Sequence, residues 1–196
     1  MLLKNGHVVD PLNGIDWVAD VLVKDGVIDQ VGVVKEQADN TIDATGCYVT
    51  PGLIDHHCHL YPLAKIGLPA EAVCFASGVT TAVDAGSTGC ATYAQHRPFI
   101  HSSKLRIRAY LNVCSTGLSS LPVLEDVDPA HWDEGAIKAC FDQYGDELLG
   151  LKLRTSAPIV KEMGYAPLKA TVELAERLGV RVMIHCTYPP GDISEL

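Results

Sequence analysis

The chain has seven cysteines and no Cys-x-x-Cys pair among them. They are odd in number and scattered, which excludes a disulfide framework or a zinc knuckle and reads as free thiols in a reducing cytoplasm. Basic residues are also few, 15 against 24 acidic, for a net charge of −9. A surface of that sign repels nucleic acid and anionic membranes, so neither is expected as a partner. Nor is there a long apolar run. The longest uncharged stretch, 109–124, is interrupted by Asn112, Gly117, Pro122 and several serines, and falls short of the ~20 apolar residues of a membrane span. The first ten residues lack the apolar core and cleavage site of a signal peptide, and no internal repeat or low-complexity tract is present.

Two organisations are present in the 196 residues. Residues 1–50 carry short alternating segments broken at Asn5-Gly6, Asn13-Gly14, Asp25-Gly26 and Thr45-Gly46, the pattern of a meander of small strands. From residue 51 to 196 the pattern becomes strand, loop, helix. Strands are expected near 49–54, 79–83, 106–113, 148–153 and 180–184, with helices at 71–77, 134–144 and 167–179. Such alternation predicts parallel βαβ units. The last helix has Pro167 in its first turn and Gly179 just past its end, an apolar stripe of Leu168, Val172, Ala175 and Leu178, and a Glu173–Arg177 pair at i, i+4. Segments 122–132 and 155–167 are the expected long loops on the functional face.

The most informative stretch is Gly52-Leu-Ile-Asp-His-His-Cys-His59. In a strand, alternate side chains share a face, so Asp55, His57 and His59 point one way, and His56 and Cys58 the other. Two imidazoles on one face with a carboxylate behind them can chelate a divalent cation, whereas a lone His-x-His is more often a solvated turn. Lys152 and Arg154 share a face of the apolar run 148–154. A lysine buried there needs a partner carboxylate or a change of chemical state, and one such change is carboxylation by carbon dioxide to an anionic carbamate able to bridge two metals. His185 ends the apolar run 180–184, where it could be a ligand or a satisfied core histidine. Asp84-Ala-Gly-Ser-Thr-Gly89 lacks the lysine and spacing of a phosphate loop and reads as an ordinary turn after a strand.

The order of these features, histidine pair, lysine, histidine, each at the end of a successive strand, resembles the amidohydrolase superfamily in its binuclear, carboxylated-lysine branch. The surrounding text, Gly150-Leu-Lys-Leu-Arg154 and Met183-Ile-His-Cys186, is most similar to dihydroorotase-like and D-aminoacylase-like deacetylases. The resemblance implies an α/β fold, a (β/α)₈ barrel with its first five strands present, preceded by part of a small β-sandwich. It further implies two divalent ions, with zinc the expected metal, held by His57 and His59 on one side and His185 on the other and bridged by the carbamate of Lys152. Asp55 would orient a ligating histidine, and Arg154 would contact a substrate carboxylate or brace a loop. The reaction implied is hydrolysis of an amide, N-acyl or cyclic-amide C–N bond of a small molecule by a metal-held hydroxide; dihydropyrimidinase-type cyclic amidase, non-catalytic scaffold and homo-oligomer remain open alternatives. A later histidine and the general-base aspartate of the family have no counterpart here, so the chain reads as the first two-thirds of such an enzyme. Dihydroorotases carry an arginine two positions after the second histidine. This chain has Tyr61, which would line a pocket or pack at the rim.

Overall fold

The computed structural model describes residues 1–62, 64, 66–120 and 125–195. The chain divides into two compact units, Met1–Leu53 and Ile54–Leu196.

The first unit is a single five-stranded sheet of β1 (Leu2–Asp10), β2 (Ile15–Lys24), β3 (Val27–Gly32), β4 (Thr41–Asp43) and β5 (Tyr48–Val49), in the order β3-β2-β1-β4 with β5 also paired to β1. Asp25 and Gly26 join β2 to β3 with φ of 50° and 78°, the two left-handed residues that a tight hairpin requires. Asn5-Gly6 is different. β1 runs through it with a bulge between Leu3 and Gly6, because the Asn5 N–H turns to Asp20 Oδ1 at 3.0 Å instead of to the ladder.

In the second unit β6 (Leu53–Cys58), α1 (Ala70–Phe75), β7 (Val79–Gly89), α2 (Tyr93–Ser102), β8 (Arg106–Asn112), α3 (Glu134–Tyr144), β9 (Leu148–Arg154), α4 (Ala157–Val160), α5 (Ala166–Leu178) and β10 (Arg181–His185) follow in order. The strands form one sheet in the order β10-β9-β8-β7-β6, with β7–β8, β8–β9 and β9–β10 parallel. Because the strands are parallel, all five carboxyl ends lie along one rim, which is where α/β sheets carry their chemistry. Its core joins strand residues Ala82, Ile107, Leu111, Leu151 and Leu153 to Ile137 of α3 and Leu174 of α5.

The five expected strands are present, with the first displaced to Leu53–Cys58 and the second extended to Gly89. Three features differ from expectation. α2 is a ten-residue helix with Pro98 inside it; the missing N–H and the weak amphipathic pattern hid it, although Tyr93, His96 and Ile100 are buried. On α5 the buried face is Pro167, Thr171, Leu174 and Ala175, while Val172 is 40% exposed. The apolar arc of the helix is wider than the part the sheet covers. Arg177 reaches Glu134 at 2.7 Å rather than Glu173, since the amino-terminal turn of α3 offers it a carboxylate across the interface. The segment 155–167 contains α4 and a short 3₁₀ turn, Lys161–Met163, and 122–124 of the other expected loop lie outside the described residues.

Candidate metal centre

Flat, a sheet of five strands would hold β6 and β10 about 19 Å apart, four spacings of about 4.8 Å. The rings of His57, near the end of β6, and His185, at the end of β10, are 6.1 Å apart between centroids. The sheet therefore curls into a half-barrel that brings its first and last strands to one place. His57 and His59 face each other at 5.8 Å, whereas His56 meets the Tyr110 ring at 6.2 Å, as strand alternation requires.

A cavity of about 290 Å³ is lined by His59, Asn112, Glu125, Lys152, Arg154 and His185 among others. Lys152 is 3% exposed, and its Nζ has no hydrogen-bond partner among the described residues. An unpaired ammonium there is costly. Burial lowers its pKa to about 8, with Glu125 and Asp84 partly opposing that fall, so a share of the amine is neutral at physiological pH. His57 and His59 are each held down to about 4, first by desolvation and then by the charge of Lys152. His185 is lowered for the same reasons, with Arg154 adding to them. All three imidazoles are thus in the neutral form that ligates metal. His57 stays open to solvent on one side.

Gly86 makes the position of Lys152 possible. At φ +75° it lies where a Cβ would meet Lys152 Cγ at 2.5 Å and Cβ at 2.6 Å. The same strand supplies a brace that sequence reading missed. Asp84, wholly buried, accepts the Leu60 N–H and the Ser87 N–H, both at 2.7 Å, and the Ser87 hydroxyl meets His59 Nδ1 at 3.0 Å. With Nδ1 engaged, Nε2 of His59 is the nitrogen left to ligate. The signal was the sequence 84–89, which reads as a turn but lies within β7 around an irregularity between Ala85 and Gly89.

Asn112 and Glu125 were missed as well. Asn112 pairs in register with Lys152 and donates to Gly86 O at 3.1 Å and to Glu125 Oε1 at 2.6 Å. Asp55 bonds differently from expectation: its Oδ1 accepts the backbone N–H of His57 at 3.0 Å, shaping the chain rather than a ring. Tyr61 is 1% exposed, packed edge-on to His96 at 4.6 Å beside Ala64 and Leu118. It packs at the rim and does not line the cavity.

Among the described residues no group of three or more His, Cys, Asp or Glu side chains is gathered to hold a metal ion. Here the His57 ring lies against those of His59 and His185, and the latter two share a cavity with the Lys152 amine. This set fits a metal if the amine becomes an anionic oxygen donor, and the orphaned Lys152 Nζ is the atom that such a change would satisfy.

The parallel half-barrel matches solved structures of the amidohydrolase fold, a dihydroorotase and an adenine deaminase among them. The chain is 34% identical over 189 residues to a deacetylase of Brucella anthropi, matching 92% of this chain and 46% of that protein. It is 38% identical over 130 residues to a dihydroorotase of Ruminiclostridium cellulolyticum, 61% of this chain and 29% of that one. A crystal structure of a dihydroorotase superposes on 99% of the chain with a TM-score of 0.88 at 32% identity, covering 52% of its own chain. The chain is a homologue of the deacetylases and dihydroorotases of the amidohydrolase superfamily, and it spans about half the length of the curated relatives it matches. No family model matches it.

Proposed function

We propose that the protein to which this chain belongs is a metal-dependent hydrolase of non-peptide C–N bonds, acting as an N-acyl deacetylase on a small-molecule amide. The observation that carries this reading is that the His57 ring lies against those of His59 and His185, while His59 and His185 line one cavity with Lys152, whose Nζ has no hydrogen-bond partner among the described residues. His57 and His59 would hold one ion and His185 the other. In its neutral form the Lys152 amine would add to the carbon of carbon dioxide, the new N–C bond forming as one C=O π bond opens to an anionic oxygen and the nitrogen loses a proton, which would make Lys152 an oxygen donor to the ions. Zinc suits imidazole with carboxylate-type oxygen. When bound, such ions polarise a substrate carbonyl and lower the pKa of water. The Ser87 contact keeps the His59 ring oriented, and Asp84 keeps Ser87 in place.

The likeness to a dihydroorotase favours a cyclic amidase as the second reading. Against it stands Tyr61, buried at the position where the resemblance implies a carboxylate-gripping arginine. A cytoplasmic location is supported by seven free thiols in seven cysteines; among the described residues no helix is long and apolar enough to cross a membrane. The test is elemental analysis of protein produced with zinc and bicarbonate. Bound zinc that is lost in Lys152→Ala is the expected result, and metal-free protein, or binding unchanged by that substitution, would remove the proposal. Metal content also separates the enzyme from a non-catalytic scaffold.

A further inference from the structure

A second cavity, of about 220 Å³, is lined from α1, α2, β8 and the loop after β6, and shares no lining residue with the cavity at the candidate metal centre. Its walls are mostly apolar, with Leu60, Ile100 and Ile107 buried, while Leu68 and Phe99 are 48% and 46% exposed, so it is reached from solvent on their side. The polar side chains of the lining are already bonded, with one exception. Glu71 Oε1 accepts the Ser103 hydroxyl at 3.1 Å and the Lys104 N–H at 2.6 Å, and the Ser102 hydroxyl donates to Phe99 O at 3.1 Å. The exception is His96, which α2 buries on the face it shares with Tyr93 and Ile100. His96 is 1% exposed, and neither ring nitrogen has a hydrogen-bond partner among the described residues or is open to bulk water. Burial lowers its pKa, with Asp84 partly opposing that fall, so the ring is neutral and keeps one N–H donor and one bare nitrogen acceptor. Burying both unmade is costly. The ring packs edge-on against Tyr61 at 4.6 Å, but no hydrogen bond anchors it, so nothing polar resists a small shift toward the cavity.

We propose that this cavity is a binding site for a small uncharged molecule with an apolar body and one hydroxyl, of the size of a phenol, which pairs with His96. A hydroxyl both donates and accepts, so it satisfies the imidazole whichever tautomer is present. An apolar cavity of about 150 Å³ is enough to take benzene, so the space suits a single ring with one polar substituent. An anion would meet the Glu71 carboxylate and no cationic side chain among the described lining residues, and a cation would be desolvated against apolar walls. The site adjoins the metal centre along the chain, since Leu60 follows His59 and its N–H is held by Asp84 at 2.7 Å. Binding there is independent of the hydrolase reading, because neither a metal nor a scissile bond takes part.

The test is titration of the 196-residue chain, without added metal, with phenol and with toluene, which carries a methyl in place of the hydroxyl, followed by calorimetry and by NMR of isotopically labelled protein. Phenol is expected to bind about threefold or more tightly than toluene, to move a ring-nitrogen resonance of His96, and to shift the backbone amides of Leu60 and Ile100 more than those of Lys152 and His185. In His96→Phe, which keeps an aromatic ring against Tyr61 and removes both nitrogens, the order of the two probes is expected to reverse, because a wholly apolar cavity favours the less polar molecule. Absence of phenol binding, tighter binding of toluene to the unaltered protein, His96 ring resonances unmoved at saturation, or a preference for phenol kept in folded His96→Phe would overturn the proposal. Amide shifts centred on Lys152 and His185 would place phenol in the metal centre and overturn it as well. If His96→Phe does not fold, the ring-nitrogen resonances of the unaltered protein decide by themselves.

Discussion

At the scale of single residues, Lys152 is defined as much by Gly86 as by its own burial. A side chain at Gly86 would need both a left-handed backbone and space already taken by Lys152. Gly86→Ala is therefore expected to destabilise the fold by about 1–3 kcal/mol, read from urea unfolding, and to lower zinc content as Lys152 is displaced. Lys152→Met tests the opposite balance. It replaces an unpartnered amine by an apolar chain of similar length, so the metal-free protein should gain roughly 1–3 kcal/mol in the same assay while losing the ability to bind zinc. A loss of stability would mean that the amine has a partner. The four candidate ligands were legible in the sequence because each stands at or near the end of an apolar run. Glu125, Asn112 and Asp84 were not, because what gives them a role is a neighbour dozens of residues away, and no local pattern marks a polar residue as buried.

Between elements, a cluster of polar contacts joins α2 to the start of β9. Glu147 accepts three bonds from Arg97, from Nε to both carboxylate oxygens at 3.0 and 3.1 Å and from Nη2 at 2.8 Å, and meets His101 at 2.9 Å and the Tyr93 hydroxyl at 3.0 Å. Burial alone would raise its pKa, but Arg97, His101 and Tyr93 together outweigh burial and hold the carboxyl below its usual range. Because the folded value lies below the unfolded one, the unfolded chain binds the extra proton as acid is added. The stabilisation is thus fully present above the ordinary carboxylate range near pH 4.5 and is lost as the pH falls through the lowered value. Glu147→Gln is expected to cost about 1–3 kcal/mol at pH 7 and to flatten the dependence of stability on pH below 5, measured by denaturation across a pH series. Equal slopes for both proteins would contradict it. α3, by contrast, was legible end to end: Asp133 accepts the Ala136 N–H at 2.8 Å as a helix cap, and the helix runs from Glu134 to Tyr144 as expected. α2 was not, since a proline inside a helix is read as a stop unless tertiary packing offsets the lost bond.

For the molecule as a whole, the second unit is a sheet with two edges, β6 and β10, among the described residues. β6 carries Leu53 at 54% and Ile54 at 63% exposure. Beside β10, a groove of about 600 Å³ includes Leu168, Val172, Val182 and Ile184. Unpaired parallel edges flanked by apolar side chains favour association. The isolated 196-residue chain is expected to sediment with a concentration-dependent coefficient, and Ile54→Lys should reduce that dependence. Ideal monomeric sedimentation of the unaltered chain would count against it. The alternation of strand and helix after residue 51 made the parallel sheet legible, while its curl was expected only through the family resemblance, because curvature accumulates from twist and packing over all five strands.

The sequence by itself determined which residues could form each strand and most helices, and which side chains stand at the strand ends, because apolar period, turn residues and caps act over a few residues at a time. Only the tertiary structure decided that His57 and His185 meet across the half-barrel, that Lys152 Nζ has no hydrogen-bond partner among the described residues, and that Glu125 stands just short of Arg154. Those facts depend on distances between segments remote in the chain, and such distances are set by the packing of the sheet.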